Sequence, residues 1–396
     1  MKTVSLSPMS DHIKITEAPG LYGTFSVEEK LIQQLWKNGN FMTNDLHTTG
    51  GKSLKIIDFG KWNLAEEGPD FKEARISIDG QEFAGDIEVH FEEKDWKAHG
   101  HDQDPAYARV ILHVVLFPTK GIASRALSDK NERIPTLVLL PFLFQSLEEY
   151  AEEVAMEKLA DLSTKSKMPD HFPQSWDESR NWARKRWYQK CQHAETRLKN
   201  SKWKDACHQW FIEVLGYRRN RTPMARISQL FPLEAWQAGL NPDEIYSTQK
   251  DWKLRGCRPA NHPQKRLRQY AQLMNKSPAW IISLQKMDFV KESSIKSESG
   301  ISRRSLQIKK IEDEWAQNIL AGIFGGTRVH TLMIDACLPL WSVYRGENSF
   351  ETWYHWSCGD MPAVFRKWSQ QGNLLNHSRP YCNGLAQAIL GASLPR

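Results

Sequence analysis

Hydrophobic and polar positions change period along the chain, and each change marks an element. Ser26 and Glu29 form a capping-box pair, and Val27, Leu31 and Leu35 follow at helical spacing, which predicts an amphipathic helix. Leu54, Ile56 and Phe59 give a short apolar run closed by Gly60, as in a strand. Ala74, Ile76 and Ile78 alternate with Arg75, Ser77 and Asp79, so a second strand buries one face. Asp79 and Gly80 supply a hairpin turn. On the returning strand Ile87, Val89 and Phe91 alternate with Asp86, Glu88 and His90, which puts three ionisable groups on one face. After a polar stretch from Asp95 to Tyr107, the run from Val110 to Phe117 is nearly all apolar and rich in β-branched residues, as in a strand covered on both sides. Thr136 to Leu140 adds a similar run, and Ser146 with Glu149 caps a helix expected to reach Ala160.

Residues 1–165 therefore read as an α/β domain with a mixed sheet, and the remainder as mainly α-helical. Residues 166–290 form a basic, tryptophan-rich helical region. Residues 291–307, rich in Ser, Lys and Glu without periodicity, are expected to be a mobile linker or exposed loop. Helical pattern resumes over 308–396, and no internal repeat is evident.

Composition agrees with a soluble globular protein: 40% of the 396 residues are hydrophobic and 25% charged. No leader pattern and no apolar run of membrane-spanning length stands out, so no membrane partner and a cytoplasmic location are expected. The six cysteines lack paired spacings and read as reduced thiols. The net charge of +6 is uneven, with cations gathered in the middle of the chain. There Arg184, Arg186 and Trp187, then Arg218, Arg219 and Arg221, then Arg258 and Arg266 interleave cations with aromatics, a surface suited to nucleic acid. The plainer reading of each segment alone is a tryptophan core beneath solvated cations.

The candidate chemistry lies between Gly68 and Phe117. Asp70 and Glu88 are separated by a hairpin that returns Glu88 and His90 to the level of Asp70, so two carboxylates can share a divalent metal with a bound phosphate. Regular alternation would turn Asp70 toward the apolar face of Ala74 and Ile76, so a bulge near Phe71 is required. Asp86 is a further metal-ligand candidate, and Glu29 offers another acid from the first helix. His99, His101, Asp102 and Asp104, with His90, could instead hold zinc or be a polar surface loop. His113, inside an apolar strand, reads first as a hydrogen-bonded core histidine and second as part of such a site.

Pro69 and Asp70, then Glu88, Val89 and His90, within the order helix, three strands, helix, strand, resemble the PD-(D/E)XK nuclease core, except that His90 stands where that superfamily has a lysine. The longer set Gly68-Pro69-Asp70-Phe71, Gly85 to His90, Asp95, Trp96, His99, Gly100, His101, Asp104, Tyr107 and Val110 to Val115 resembles an uncharacterised bacterial family, domain of unknown function twenty-eight fifty-one. Echoes continue at Leu215, Gly216, Tyr217 and Asn220, at Arg258, Pro259, Asn261 and Pro263, and at Tyr381 with Cys382. Ala386 and Ala388 stand where such proteins often carry further cysteines. The nuclease resemblance implies a metal-dependent phosphodiesterase acting on DNA or RNA. Asp70, Glu88 and His90 would be its catalytic residues, with magnesium or manganese favoured over zinc as cofactor. Two alternatives stand beside it: a non-catalytic nucleic-acid-binding or scaffold protein on a lapsed nuclease fold, and a zinc hydrolase using His99, His101 and Asp104.

Overall fold

The computed structural model describes residues 29–43, 45–64, 67–118, 133–144, 147, 149–150, 167–169, 171–255, 257–290, 301–376 and 380–393. The expected capping residue Ser26, the Ser146 cap with most of its helix, and residues 291–300 of the expected linker lie outside them. The described residues divide into two compact units, one within Thr16–Ala151 and one within Glu152–Arg396.

In the first unit α1 (Glu29–Asn38) buries Ile32, Leu35 and Trp36, the stripe that helical spacing produces. Among the described residues its strands are β1 (Leu46–His47), β2 (Ser53–Asp58), β3 (Lys61–Trp62), β4 (Phe71–Ile78), β5 (Gln81–His90), β6 (Val110–Val115) and β7 (Thr136–Val138). They form one sheet in the order β1-β2-β4-β5-β6-β7, with β3 on β4. β2, β4 and β5 run antiparallel, whereas β6 is parallel to β5 and β7 parallel to β6, so the sheet is mixed as expected. The β5–β6 crossover carries α2 (Asp95–Ala98) and a 3-10 turn at Pro105–Tyr107.

Two local features aim the strands. Asp79 and Gly80 both take positive φ, 50° and 86°, which gives the two-residue turn that matches strand twist and pairs Ile78 with Gln81. The required bulge is present: the β4–β5 register jumps between the Phe71–Ile87 and Ala74–Gly85 pairs, and Glu73 there has φ 60°. Phe71 and Ala74 consequently both enter the core with Ile87 and Val89, so Asp70, next to Phe71, is freed from the apolar face.

The second unit is helical. Among the described residues its longest members are α3 (Trp176–Asn200), α4 (Trp203–Leu215), α5 (Tyr217–Leu230), α6 (Pro263–Lys276) and α7 (Asn383–Ser393). Ser175 caps α3, its hydroxyl accepting from Glu178 N at 3.1 Å. Trp210, Trp236, Trp280, Trp315, Trp341, Trp353, Trp356 and Trp368 are fully buried, so indoles supply much of this core. Arg303, in the described part of the expected linker, bonds both Glu312 carboxylate oxygens at 3.2 Å and Ser357 Oγ at 3.1 Å. Among the described residues no helix is long and apolar enough to cross a membrane.

Candidate metal centre

The polar face of β5 and the crossover loop build one cluster. Glu88, 5% exposed, receives the Asp70 backbone N–H on Oε2 at 2.9 Å. Its other oxygen, Oε1, lies 3.4 Å from His90 Nε2 and 3.3 Å from His101 Nε2. The Asp70 carboxylate accepts from Val89 N at 3.1 Å and from Gln33 Nε2 at 2.6 Å. Gln33 is oriented for this, because its Oε1 accepts from Trp62 Nε1 at 3.2 Å and so turns the amide N–H toward Asp70. Burial, then the neighbouring Glu88 charge, push the Asp70 carboxyl up to about 8. Glu29 is raised as well, chiefly by burial, with Glu88 adding and His99 opposing.

Three imidazoles form a hydrogen-bonded chain: His99 Nδ1 is 3.1 Å from His90 Nε2, and His90 Nδ1 is 2.8 Å from His113 Nε2. Parallel pairing sets the inner contact, since His113 on β6 sits opposite Glu88. Burial, reinforced by the neighbouring imidazoles, holds His90 down to about 2 and His113 to about 3, so both rings are neutral at physiological pH. A neutral ring keeps the lone pair that a metal takes. Ring nitrogens of His90, His99 and His101 all lie within 4.8 Å of one another. His101 Nε2 is buried without a hydrogen-bond partner, although it faces the Glu88 carboxylate. An orphaned nitrogen beside a buried carboxylate and two further imidazoles is a donor set that suits a divalent metal.

Aromatic rings wall the cluster. Tyr107 stacks on His101 at 3.8 Å between centroids, and Trp96 packs edgewise on His101 and beside His113. Burial, then Glu88, hold the Tyr107 hydroxyl protonated well above its ordinary range.

Of the residues singled out in the sequence, Asp70, Glu88, His90, His99 and His101 come together, with Glu29 in electrostatic reach and His113 behind them. Two are used otherwise. Asp86, expected as a metal ligand, accepts on Oδ1 from Glu73 N at 3.0 Å and so pins the bulge. Asp104 caps the 3-10 turn, its Oδ1 accepting from Ala106 N at 2.9 Å. Gln33 was missed. The available signal was its spacing of one helical turn from Glu29.

In the helical unit the expected nucleic-acid contacts divide. Arg186 and Trp187 are interior, Arg186 bonding Gln189 and Gln387 and Trp187 packing on Trp353, so neither lies on the surface. Arg221 pairs with the buried Glu213 at 2.7 Å, and Arg266 is also buried. Arg184, Arg219 and Arg258 are exposed, and the side chain of Arg218 lies outside the described residues.

The model of a family described as "Protein of unknown function (DUF2851)" matches residues 29–246, more than half of the chain. The match takes in every residue of the metal centre. No curated protein and no solved structure matches the chain.

Proposed function

We propose, for a chain that belongs to the DUF2851 family, a metal-dependent phosphodiesterase acting on DNA or RNA. The observation that carries this reading is the convergence of Glu88 Oε1 with His90 Nε2 and His101 Nε2, at 3.4 and 3.3 Å, beside the Asp70 carboxyl. Two neighbouring carboxyls, Glu88 buried and Asp70 half-buried, that cannot both ionise cheaply are stabilised by a cation. Three imidazoles with carboxylate favour zinc or manganese over magnesium, which prefers oxygen donors and retained water. A metal there would supply the acidity that activates a water and the charge that steadies phosphoryl oxygens.

His90 does not reproduce the charge of a lysine, because its ring is neutral. It offers a ligand instead. Using Nε2 for a metal puts its proton on Nδ1, where it is donated to His113 Nε2 across 2.8 Å. The nuclease part of the reading is supported by element order: α1, then β2, β4 and β5 antiparallel, α2, then β6 parallel to β5, with Asp70 opening β4 and Glu88 on β5.

The test is metal analysis of the purified chain, followed by cleavage of single- and double-stranded DNA and RNA with manganese, zinc or magnesium added. Glu88→Gln and His101→Ala should each lose more activity than the ~10–100-fold that a supporting residue costs. Cleavage that survives both substitutions would sink the assignment. Metal bound without cleavage of any substrate would instead favour the non-catalytic reading.

A further inference from the structure

The helical unit holds a second charge cluster that the hydrolase reading leaves unused. α5 breaks helical geometry at Asn220, with φ −121° and ψ 18°. A Cβ on Gly216 would lie 2.3 Å from Asn220 O, so this close approach requires glycine. Asn220 then takes both backbone polar groups of Lys253: Oδ1 accepts from Lys253 N at 2.8 Å and Nδ2 donates to Lys253 O at 3.3 Å. Arg219 Nη1 donates to Arg255 O at 2.7 Å. The segment carrying Arg255, Cys257 and Arg258 is thereby tied to α5, with those arginines exposed and Cys257 half-buried.

Beneath it Arg266, 5% exposed, donates to Asn261 Oδ1 at 2.7 Å and Gln269 Oε1 at 2.9 Å. Both partners are neutral, its buried Nε meets no acceptor among the described residues, and the Asp360 carboxylate, already paired with Arg328, supports its charge only from a distance. Arg328, 2% exposed, already engages Asp360 Oδ2 at 3.0 Å. Burial, then the neighbouring Arg328, disfavour the charge of Arg266, and burial raises the Cys257 thiol while Arg219, Arg266 and Arg328 pull against it, so the three guanidiniums surround Cys257. A buried guanidinium without an acid partner is costly unless an anion completes it. The planar fork of arginine matches phosphate oxygens in particular.

We propose that Arg266, with Arg219 and Arg328 around Cys257, forms a binding site for a phosphate group, supplied either as free phosphate or by a nucleic-acid strand. The site belongs to the helical unit and does not depend on the metal centre.

Cys257 reports on it. In the full chain, alkylation of Cys257 by iodoacetamide, followed by peptide mass spectrometry, should slow when inorganic phosphate is added at constant ionic strength. Oligonucleotides with and without a 5′-phosphate identify the source: protection by the phosphorylated strand points to a terminal phosphate, and by both to the backbone. Arg266→Gln should raise the half-protecting phosphate concentration about tenfold, as expected when a charged hydrogen bond is lost. If that variant does not fold, exposed Arg219→Gln should shift it in the same direction by less. Alkylation unchanged by phosphate and both oligonucleotides, or protection equal in wild type and in whichever variants fold, overturns the proposal. Because no cleavage is measured, either outcome leaves the hydrolase test separate.

Discussion

Asp70 is a carboxyl whose surroundings keep it from ionising, and this gives the stability of the chain a definite pH dependence. Its ordinary value is 3.8 and its value in the fold about 8. Between those limits the folded state holds a proton that the unfolded chain has released. The stabilisation is therefore complete below about pH 4 and is lost as pH rises to about 8. His90 and His113, held neutral in the fold, act in the opposite sense up to their ordinary value of 6.5. Thermal unfolding in chelator should therefore show the Asp70 fall as the difference between wild type and Asp70→Asn, and as a net fall in melting temperature only above about pH 6.5. Added manganese or zinc should flatten the fall, and Asp70→Asn should remove most of it. An unchanged slope in Asp70→Asn would mean that the burden lies elsewhere. His113 makes the second prediction at this scale. It holds His90 through a ring nitrogen and is itself fully buried, so His113→Gln should lower metal affinity by about 10–100-fold, beyond the loss of about 1–3 kcal/mol in metal-free stability that a disturbed buried polar contact costs.

At the scale of elements, the site depends on how β4 and β5 are paired. Alternation along β5 made one face legible in sequence, and the parity conflict at Asp70 required a bulge, which the register jump after Phe71 supplies. Asp86 locks that bulge. Asp86→Ala would leave Glu73 N unsatisfied in a half-buried place, costing about 1–3 kcal/mol. Metal affinity should fall with it as Asp70 loses its position, and urea unfolding beside metal titration would show both. Gly85 governs the other side of β5. A Cβ there would lie 2.4 Å from Arg109 O and 2.5 Å from Ile111 Cγ2, so Gly85→Ala should push β6 away and cost about 1–3 kcal/mol. Because His113 rides on β6, that substitution should also weaken metal binding. A variant that is destabilised but binds metal normally would show that the β5–β6 spacing does not set the site.

Across the whole molecule, charge separates the readings that remain. The chain carries a net charge of +6, and exposed Arg184, Arg219 and Arg258 lie in the helical unit. Binding to single-stranded nucleic acid should weaken steeply with salt, with a logarithmic slope of about −0.7 for each phosphate neutralised. Fluorescence anisotropy between low and physiological salt would measure it. Salt-independent binding, or none at low salt, would remove nucleic acid as the partner while leaving the metal centre untouched.

The sequence by itself determined the strands other than the two-residue β1 and β3, the Asp79–Gly80 turn, the division between a mixed sheet and a helical remainder, and the face shared by Glu88 and His90. These follow from period and turn chemistry, which act between near neighbours. Only the tertiary structure decided which histidines meet. His99 and His101 lie in the crossover and His113 on the next parallel strand, and no local period links those positions; their convergence depends on the crossover and on the register that sets His113 opposite Glu88. The same limit applied to the cations. Arg186 and Arg258 look alike in sequence, and packing alone placed the first inside the helical core and the second on its surface.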